Sequence, residues 1–177
     1  MAYGIVRTDK MFGTQNKAGL ASFKFFTTED NSLVEAAIEN GNVVKIDGLI
    51  SETTDNVTTI LSREVYKAIA PTASADKKDI LLVADPEVVV EKTYHTLGDF
   101  INKAGEVVRG YYLHTNDIFS VTADCLAGTP ALGNLVELQA GTKLKAVASA
   151  TNGSTTIGKI IQVEQVGSVT YYVIQVA

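Results

Sequence analysis

The chain has 177 residues and a formal net charge of −5, with 15 Lys and Arg against 20 Asp and Glu. It contains only two histidines, one cysteine and two methionines. A cysteine-rich zinc module, a disulfide scaffold and a histidine-rich metal site are therefore excluded for want of ligands, and no cofactor is expected. The acidity also excludes a protein held to nucleic acid by its charge, because phosphate binding needs a concentrated cationic face.

The composition favours β structure. Val, Ile and Thr account for 52 of the 177 residues, and β-branched side chains pack well on half-buried pleated surfaces. No apolar stretch approaches the roughly 18 residues needed to span a bilayer, and the N-terminus does not resemble a signal peptide. We expect a mainly β protein, a small β-barrel or sandwich, made in the cytoplasm and without a membrane partner.

Residues 1–28 are predicted to form an extended N-terminal arm that ends in a first strand over 21–26. The arm mixes apolar anchors with charges, which is typical of a segment that orders against a partner. Its candidate interface residues, for contact with a partner or with another copy, are Tyr3, Ile5, Val6, Arg7, Asp9, Lys10, Met11 and Phe12. An equally weighted alternative is that the arm is simply the first strand of its own barrel. Residues 29–177 are predicted to be a single β-rich domain.

The next part of the chain alternates short strands with polar breaks. Ser32 and Glu35 have the spacing of a capping box, so 33–39 is predicted to be a short helix or helical turn. The hexapeptide 51–56 is predicted to be a polar loop, and 76–79 a charged hairpin or loop. The segment 42–50 is predicted to be a strand and turn, and further predicted strands cover 57–60, 64–69, 80–84 and 87–91.

One helix is expected over about 97–104, because apolar side chains fall at i, i+3, i+4 and i+7. Thr96 stands at its N-cap position and Gly105 is placed to end it. Beyond residue 110 turn signals separate a series of strands, which is typical of a barrel or sandwich. These strands cover 111–114, 118–121, 135–138, 144–147, 157–163 and 169–176. A division into two sub-lobes is expected near 106–110.

Catalytic patterns are weak throughout the chain. His95 and His114 have no neighbours at metal-ligand spacing, and Cys125 fits a free, buried thiol. An enzyme would need a cleft in which Asp117, Asp124 or His114 converge. We therefore expect no enzymatic activity, no catalytic residues and no metal site.

Several segments carry a resemblance to a known group of proteins. They are Gly-Ile-Val-Arg-Thr-Asp at 4–9 and the stretches 37–44, 48–49, 80–88, 99–105, 109–111 and 117–122. Together these segments resemble small structural proteins of tailed bacteriophages, of the kind encoded beside the major capsid protein. The similarity spans residues 4 to about 145 and rests on structural frames, without a catalytic signature.

The resemblance implies a head decoration or capsid cement protein, a β-rich virion component that binds the outside of the viral head and stabilises it. Its partners would be the major capsid protein and copies of itself in a homotrimer, since the exposed depressions of an icosahedral shell are three-fold. The expected location is the outer capsid surface of the virion, after synthesis in the cytoplasm of a bacterial host. A phage tail-tube or neck component is the alternative, and a virion-associated hydrolase a less favoured one.

Overall fold

The computed structural model describes residues 3–54, 57–87 and 97–177, with the backbone alone at 53 and 54. The fold is mainly β and contains a closed five-stranded barrel, as the composition predicts. In chain order the strands are β1 (Val6–Lys10), β2 (Leu20–Glu29), β3 (Ser32–Glu35), β4 (Val43–Leu49), β5 (Ser51–Thr54), β6 (Val57–Ile60), β7 (Val65–Ile69), β8 (Ile80–Val83), β9 (Val108–Tyr112), β10 (Ile118–Val121), β11 (Leu126–Ala127), β12 (Leu135–Glu137), β13 (Leu144–Val147), β14 (Thr156–Val166) and β15 (Val169–Val176).

The barrel follows the order β2-β7-β4-β8-β9, and β9 pairs back onto β2 to close it. The closing ladder is antiparallel and runs from Leu20 opposite Tyr111 to Phe23 opposite Val108. Closure removes the open edges that a sheet would otherwise present to other chains. The outer half of β2 continues beyond the barrel and pairs with β3, whereas β5 and β6 pair only with each other.

A second, seven-stranded sheet packs against the barrel, in the order β1-β10-β15-β14-β12-β13-β11. Strand β8 is a strand of the barrel that faces the second sheet, and all four of its side chains are buried. Ile80 and Leu82 belong to the core shared with the second sheet, whereas Leu81 and Val83 belong to the core inside the barrel. Side chains alternate across a strand, so a continuous apolar run is what burial on both faces requires.

The N-terminal segment is a strand of the protein's own second sheet. β1 pairs antiparallel with β10, and Val6 stands opposite Val121. Met11, which follows β1, is 1% exposed within the shared core. The segment is therefore a strand of the protein's own fold, but in the second sheet and not in the barrel that the alternative names, and its contact with a partner stays a prediction. Between Arg7 and Lys10 the register shifts at a bulge.

The predicted helix over 97–104 is wrong in its length. Only the 3₁₀ turn Leu97–Asp99 forms there, because Asn102 makes an antiparallel bridge with Ile38 and its N–H donates to the Ile38 carbonyl oxygen instead of to a helical partner. The Asn102 side chain also donates to the Ile38 carbonyl oxygen at 2.9 Å, which a continuing helix would prevent. Within the described residues the α-helix of the fold is the single turn Phe12–Gln15.

Two other predictions are corrected. The segment 33–39 is not helical, because Asp30 and Asn31 take φ values of +47° and +62° and form a tight turn that pairs β2 with β3. The segment predicted as a polar loop at 51–56 contributes β5, which pairs with β6 from Ser51 opposite Ile60. The charged segment at 76–79 forms the 3₁₀ turn Lys77–Asp79.

The two sheets do not divide the chain into two consecutive halves. The last barrel strand, β9, ends at Tyr112, and β10 begins the second sheet at Ile118. β1, however, belongs to that later sheet although it opens the chain. The division into an arm of 1–28 and a domain of 29–177 stays a prediction, as does the sub-lobe boundary near 106–110. The predicted strand at 87–91, Thr96 and His95 lie largely or wholly outside the described residues.

Candidate interaction surface

Tyr3 and Ile5 line a surface hollow of about 510 Å³, here called the N-terminal hollow. Both side chains are half-buried. Their positions are set by the backbone: the Tyr3 N–H donates to the Gly98 carbonyl oxygen at 2.7 Å, and the Ile5 N–H donates to the Thr122 hydroxyl at 3.1 Å. Other residues of the hollow are Leu97, which is 45% exposed, and Tyr171. Two of the predicted interface residues thus lie together on an accessible, largely apolar surface.

Val6 and Met11 are turned towards the protein's own core. Val6 packs against the shared core, and Met11 is almost fully buried within it. A side chain in that position cannot contact another molecule unless the N-terminal strand leaves its sheet. Their apolar character, which suggested partner anchors, is explained by packing within the chain.

Arg7 and Asp9 are joined to other strands of the second sheet. The Arg7 guanidinium donates to Glu164 Oε2 at 2.7 Å and to the Ser120 hydroxyl at 3.2 Å, and it lies 4.3 Å from the centre of the Tyr171 ring. The Ser120 hydroxyl donates in turn to the Asp9 carboxylate. The bond to Glu164 raises the pKa of Arg7 despite the opposing effect of burial. This cluster, the Arg7 clasp, ties β1 to β10, β14 and β15.

Asp9, Lys10 and Phe12 are the predicted interface residues that are exposed near the end of β1. The Phe12 side chain is 37% exposed and its ring centre lies 4.4 Å from that of His114. Lys10, Phe12 and His114 border a small hollow of about 190 Å³. Of the eight candidates Met11 alone is buried; Asp9, Lys10 and Phe12 are exposed, and Tyr3, Ile5, Val6 and Arg7 are half-buried.

The β5–β6 hairpin is an exposed apolar feature outside the arm, which sequence reasoning missed. Val57 is 64% exposed and Ile60 is 49% exposed. Because successive side chains of a strand point to opposite faces, these two residues lie on opposite faces of the hairpin. Neither face of the hairpin therefore rests on the barrel. Among the described residues the hairpin is held at its base, where the Leu61 N–H donates to the Ile50 carbonyl oxygen at 2.9 Å.

A sequence signal for this hairpin existed. Asp55 and Asn56 are turn-forming residue types, and they separate two four-residue segments rich in threonine. The polar character of the first segment favoured a loop instead. A two-stranded hairpin is only marginally stable in water without a packing partner.

The three residues considered for hydrolysis do not share one site. Asp117 is buried, and its carboxylate accepts hydrogen bonds from the Phe12 N–H at 2.8 Å and the His114 N–H at 3.0 Å. It therefore fastens the turn before β10 to the N-terminal segment. Asp124 is exposed and borders the N-terminal hollow instead.

Cys125 lies at the junction between the barrel and the N-terminal segment. It is completely buried, and burial raises the pKa of its thiol to about 12. A methyl group added to Gly4 or to Gly41 would collide with its Sγ atom. The residue acts as a small apolar filler where three segments meet, as a buried free thiol usually does.

Buried polar residues join the barrel to the segment before residue 88. The Asn40 side chain donates to the Asp85 carbonyl oxygen at 3.0 Å and accepts from the Asp85 N–H at 3.1 Å. The Asn102 side chain donates to the Asn40 side-chain oxygen at 3.1 Å. Burial raises the pKa of the Asp85 and Glu87 carboxyls. The Asn40 side chain thus links Asp85 to Asn102.

Glu137 is a fully buried carboxylate in β12. Its Oε2 atom accepts the Thr151 N–H at 2.9 Å, its Oε1 atom accepts the Thr151 hydroxyl at 2.6 Å, and the Lys145 ammonium lies 3.6 Å away. Burial alone would raise the pKa of Glu137, but the two bonds from Thr151 and the charge of Lys145 bring it below its usual value. The residue anchors the loop that precedes β14.

Comparison of the chain with protein-family models, with curated proteins and with solved structures found no match in any of the three. Within residues 3–54, 57–87 and 97–177, no group of three or more His, Cys, Asp or Glu side chains is placed to hold a metal ion. The same part of the chain contains no helix long and apolar enough to cross a membrane.

Proposed function

We propose that this chain is a virion structural protein that binds the outer surface of a phage capsid and stabilises it. The resemblance of its segments to phage head proteins motivates the proposal. The observation that carries it is the β5–β6 hairpin, whose two faces both present apolar side chains to solvent. A hairpin of this kind is a candidate for burial against another protein.

The energetic argument starts from the exposed apolar surface. Burying an exposed valine or isoleucine side chain contributes about 1.5–3 kcal/mol. Apolar side chains at the centre of an interface are removed from water, and the polar threonines around them suit a rim that stays wet. Many such contacts, repeated over a symmetric shell, add through multivalency even when each is weak. A decoration protein stabilises only the lattice that it binds.

The Tyr3 and Ile5 side chains in the N-terminal hollow offer a second place for contact. A cement protein must touch two subunits to hold them together, so two separate surfaces fit that role. The expected assembly is a trimer over a local three-fold position of the shell, with the major capsid protein as the partner.

The experiment compares capsid binding by matched variants. Shells assembled from the major capsid protein of the same genome are sedimented with wild-type protein, with Val57→Asp, or with Leu132→Asp. Leu132 is 66% exposed and lies in the loop before β12, away from the hairpin. We expect wild type and Leu132→Asp to co-sediment and Val57→Asp to lose at least about tenfold in affinity, since a buried carboxylate is costly.

Wild-type protein that does not bind the shell would overturn the proposed function. Equal binding by Val57→Asp and wild type would overturn the role of the hairpin instead. Circular dichroism of each variant checks that the fold is retained, and the high exposure of both substituted positions makes retention the expected result.

A tail-tube or neck component is the alternative, because such a protein would form rings or polymers by itself. One feature disfavours polymerisation through the outer strand β1. Its bulge between Arg7 and Lys10 and the exposed Lys10 are devices that blunt an edge strand against pairing. Light scattering of the purified protein separates the two: a monomer or trimer supports decoration, and spontaneous rings support the tail component.

A further inference from the structure

The chain contains two Asn-Gly pairs in contrasting environments. Asn40-Gly41 precedes β4 at the centre of the protein, where Asn40 is 1% exposed. Asn152-Gly153 lies in the loop between β13 and β14, and both of its residues are exposed. The two pairs share their covalent chemistry and differ only in what surrounds them.

The surroundings decide whether the asparagine side chain can react with the following peptide nitrogen. Both polar atoms of the Asn40 side chain are held by Asp85. The Asn152 side chain is exposed and has no hydrogen bond within the part of the chain that the structure describes.

Gly153 supplies the backbone nitrogen with which the Asn152 side chain would react. It has φ +84°, and a methyl group added to its Cα would have no atom within 4 Å. The space around the Gly153 Cα is therefore open in the described structure. The glycine also lacks the side chain that slows such a reaction at other residues.

We propose that Asn152 is a site of spontaneous deamidation, and that Asn40 is protected from it. The backbone nitrogen of Gly153 attacks the side-chain carbonyl carbon of Asn152. A C–N bond forms, the amide C–N bond breaks, and the nitrogen leaves as ammonia with the proton lost from Gly153. Water then opens the cyclic imide at either carbonyl to give aspartate or isoaspartate. No oxidant, metal or partner is needed.

Deamidation of Asn152 is expected to weaken the hydrogen bonds between Thr151 and the Glu137 carboxylate. Deamidation places a new negative charge one residue after Thr151, whose N–H and hydroxyl both bind the Glu137 carboxylate. Like charges disfavour each other. The isoaspartate form also adds one methylene unit to the main chain between the Cα of residue 152 and Gly153, inside the turn that the Ser154 N–H closes on the Thr151 carbonyl oxygen. Ageing at Asn152 is therefore expected to loosen the loop before β14.

The test is peptide mapping by mass spectrometry after the folded protein is incubated at mildly alkaline pH. We expect the Asn152 peptide to gain the mass of an amide-to-carboxylate conversion at least about tenfold faster than the Asn40 peptide, because the latter needs local opening first. In denaturant the two peptides should convert at similar rates. The Asn152→Gln variant should keep its charge homogeneous in ion-exchange chromatography.

Equal rates for the two asparagines in the folded protein would overturn the proposal, as would an Asn152 peptide that stays unmodified while denatured Asn40 converts. The expected loss of stability at the Thr151–Glu137 hydrogen bonds is measured separately. Aged wild type should unfold at a lower temperature than fresh wild type, whereas aged and fresh Asn152→Gln should be the same. An equal fall in unfolding temperature on ageing in wild type and in Asn152→Gln would show that the fall arises at another site.

Discussion

Replacing Met11 by alanine tests whether the N-terminal segment belongs to the folded domain. Met11 is 1% exposed, and truncation to alanine removes three heavy atoms from the shared core. At roughly 0.8 kcal/mol for each buried methylene-sized group the transfer loss alone is about 2 kcal/mol. The cavity left behind adds to it, and measured Met→Ala changes in cores cost about 2–5 kcal/mol. We expect a loss of about 3 kcal/mol.

The assay is urea unfolding followed by circular dichroism, with thermal unfolding as a second measurement. A loss of about 3 kcal/mol in a chain of this size lowers Tm by roughly 6–12 °C. Phe12→Ala is the matched control, because it removes a larger side chain from the next position where exposure is 37%. We expect it to cost less than about 1 kcal/mol. A Met11→Ala variant as stable as Phe12→Ala would refute the placement of this segment in the core.

Three further predictions follow from the buried and paired groups. Cys125, whose thiol pKa is about 12, should not react with a thiol reagent in the native protein and should react fully in denaturant; rapid native labelling would contradict its burial. Because the folded pKa of Glu137 is lowered, its stabilising effect is complete above the unfolded value of about 4.3 and is lost as the pH falls through the folded pKa. The unfolding free energy of wild type minus that of Glu137→Gln should therefore shrink between neutral pH and acid, and a constant difference would exclude the carboxylate as the cause. A double-mutant cycle of Arg7→Gln and Glu164→Gln should give a coupling of about 1 kcal/mol that falls with added salt, since the pair is partly exposed; a coupling near zero would mean that the clasp does not hold β1.

Strand positions were largely predictable from local pattern. The strands at 118–121, 144–147 and 169–176 match the structure residue for residue, because turn residues precede each one. The run at 80–84 was predicted as a strand, but its burial on both faces depends on where the two layers meet. That arrangement is set by pairings between residues more than thirty positions apart, such as Val43 with Leu82.

The errors have a common physical cause. The helical spacing at 97–104 and the capping pattern at Ser32 are local preferences, and each was overridden by a tertiary or turn constraint. Asn102 bonds to Ile38 across the fold, and the left-handed conformations of Asp30 and Asn31 turn the chain back on itself. A helical preference amounts to a few tenths of a kcal/mol per residue, which one buried hydrogen bond or one strand ladder exceeds.

The candidate surface was predictable only in part. The apolar and charged residues of the arm were identified from composition, but which of them face outward depends on the register of β1 against β10. Met11 and Arg7 are engaged within the chain, whereas Tyr3 and Phe12 are accessible. The exposed hairpin depends on the absence of a third strand beside β5 or β6 in the described fold, and no local pattern reports that.

Strand β8 has a consequence for how the molecule unfolds. Its side chains belong alternately to the core inside the barrel and to the core shared with the second sheet, so neither core can open while the other stays intact. The two layers should therefore form one cooperative unit, and the backbone amides of β8 should exchange with solvent deuterium only when the whole chain unfolds. A fragment that contains one layer without the other leaves half of the β8 side chains exposed to water.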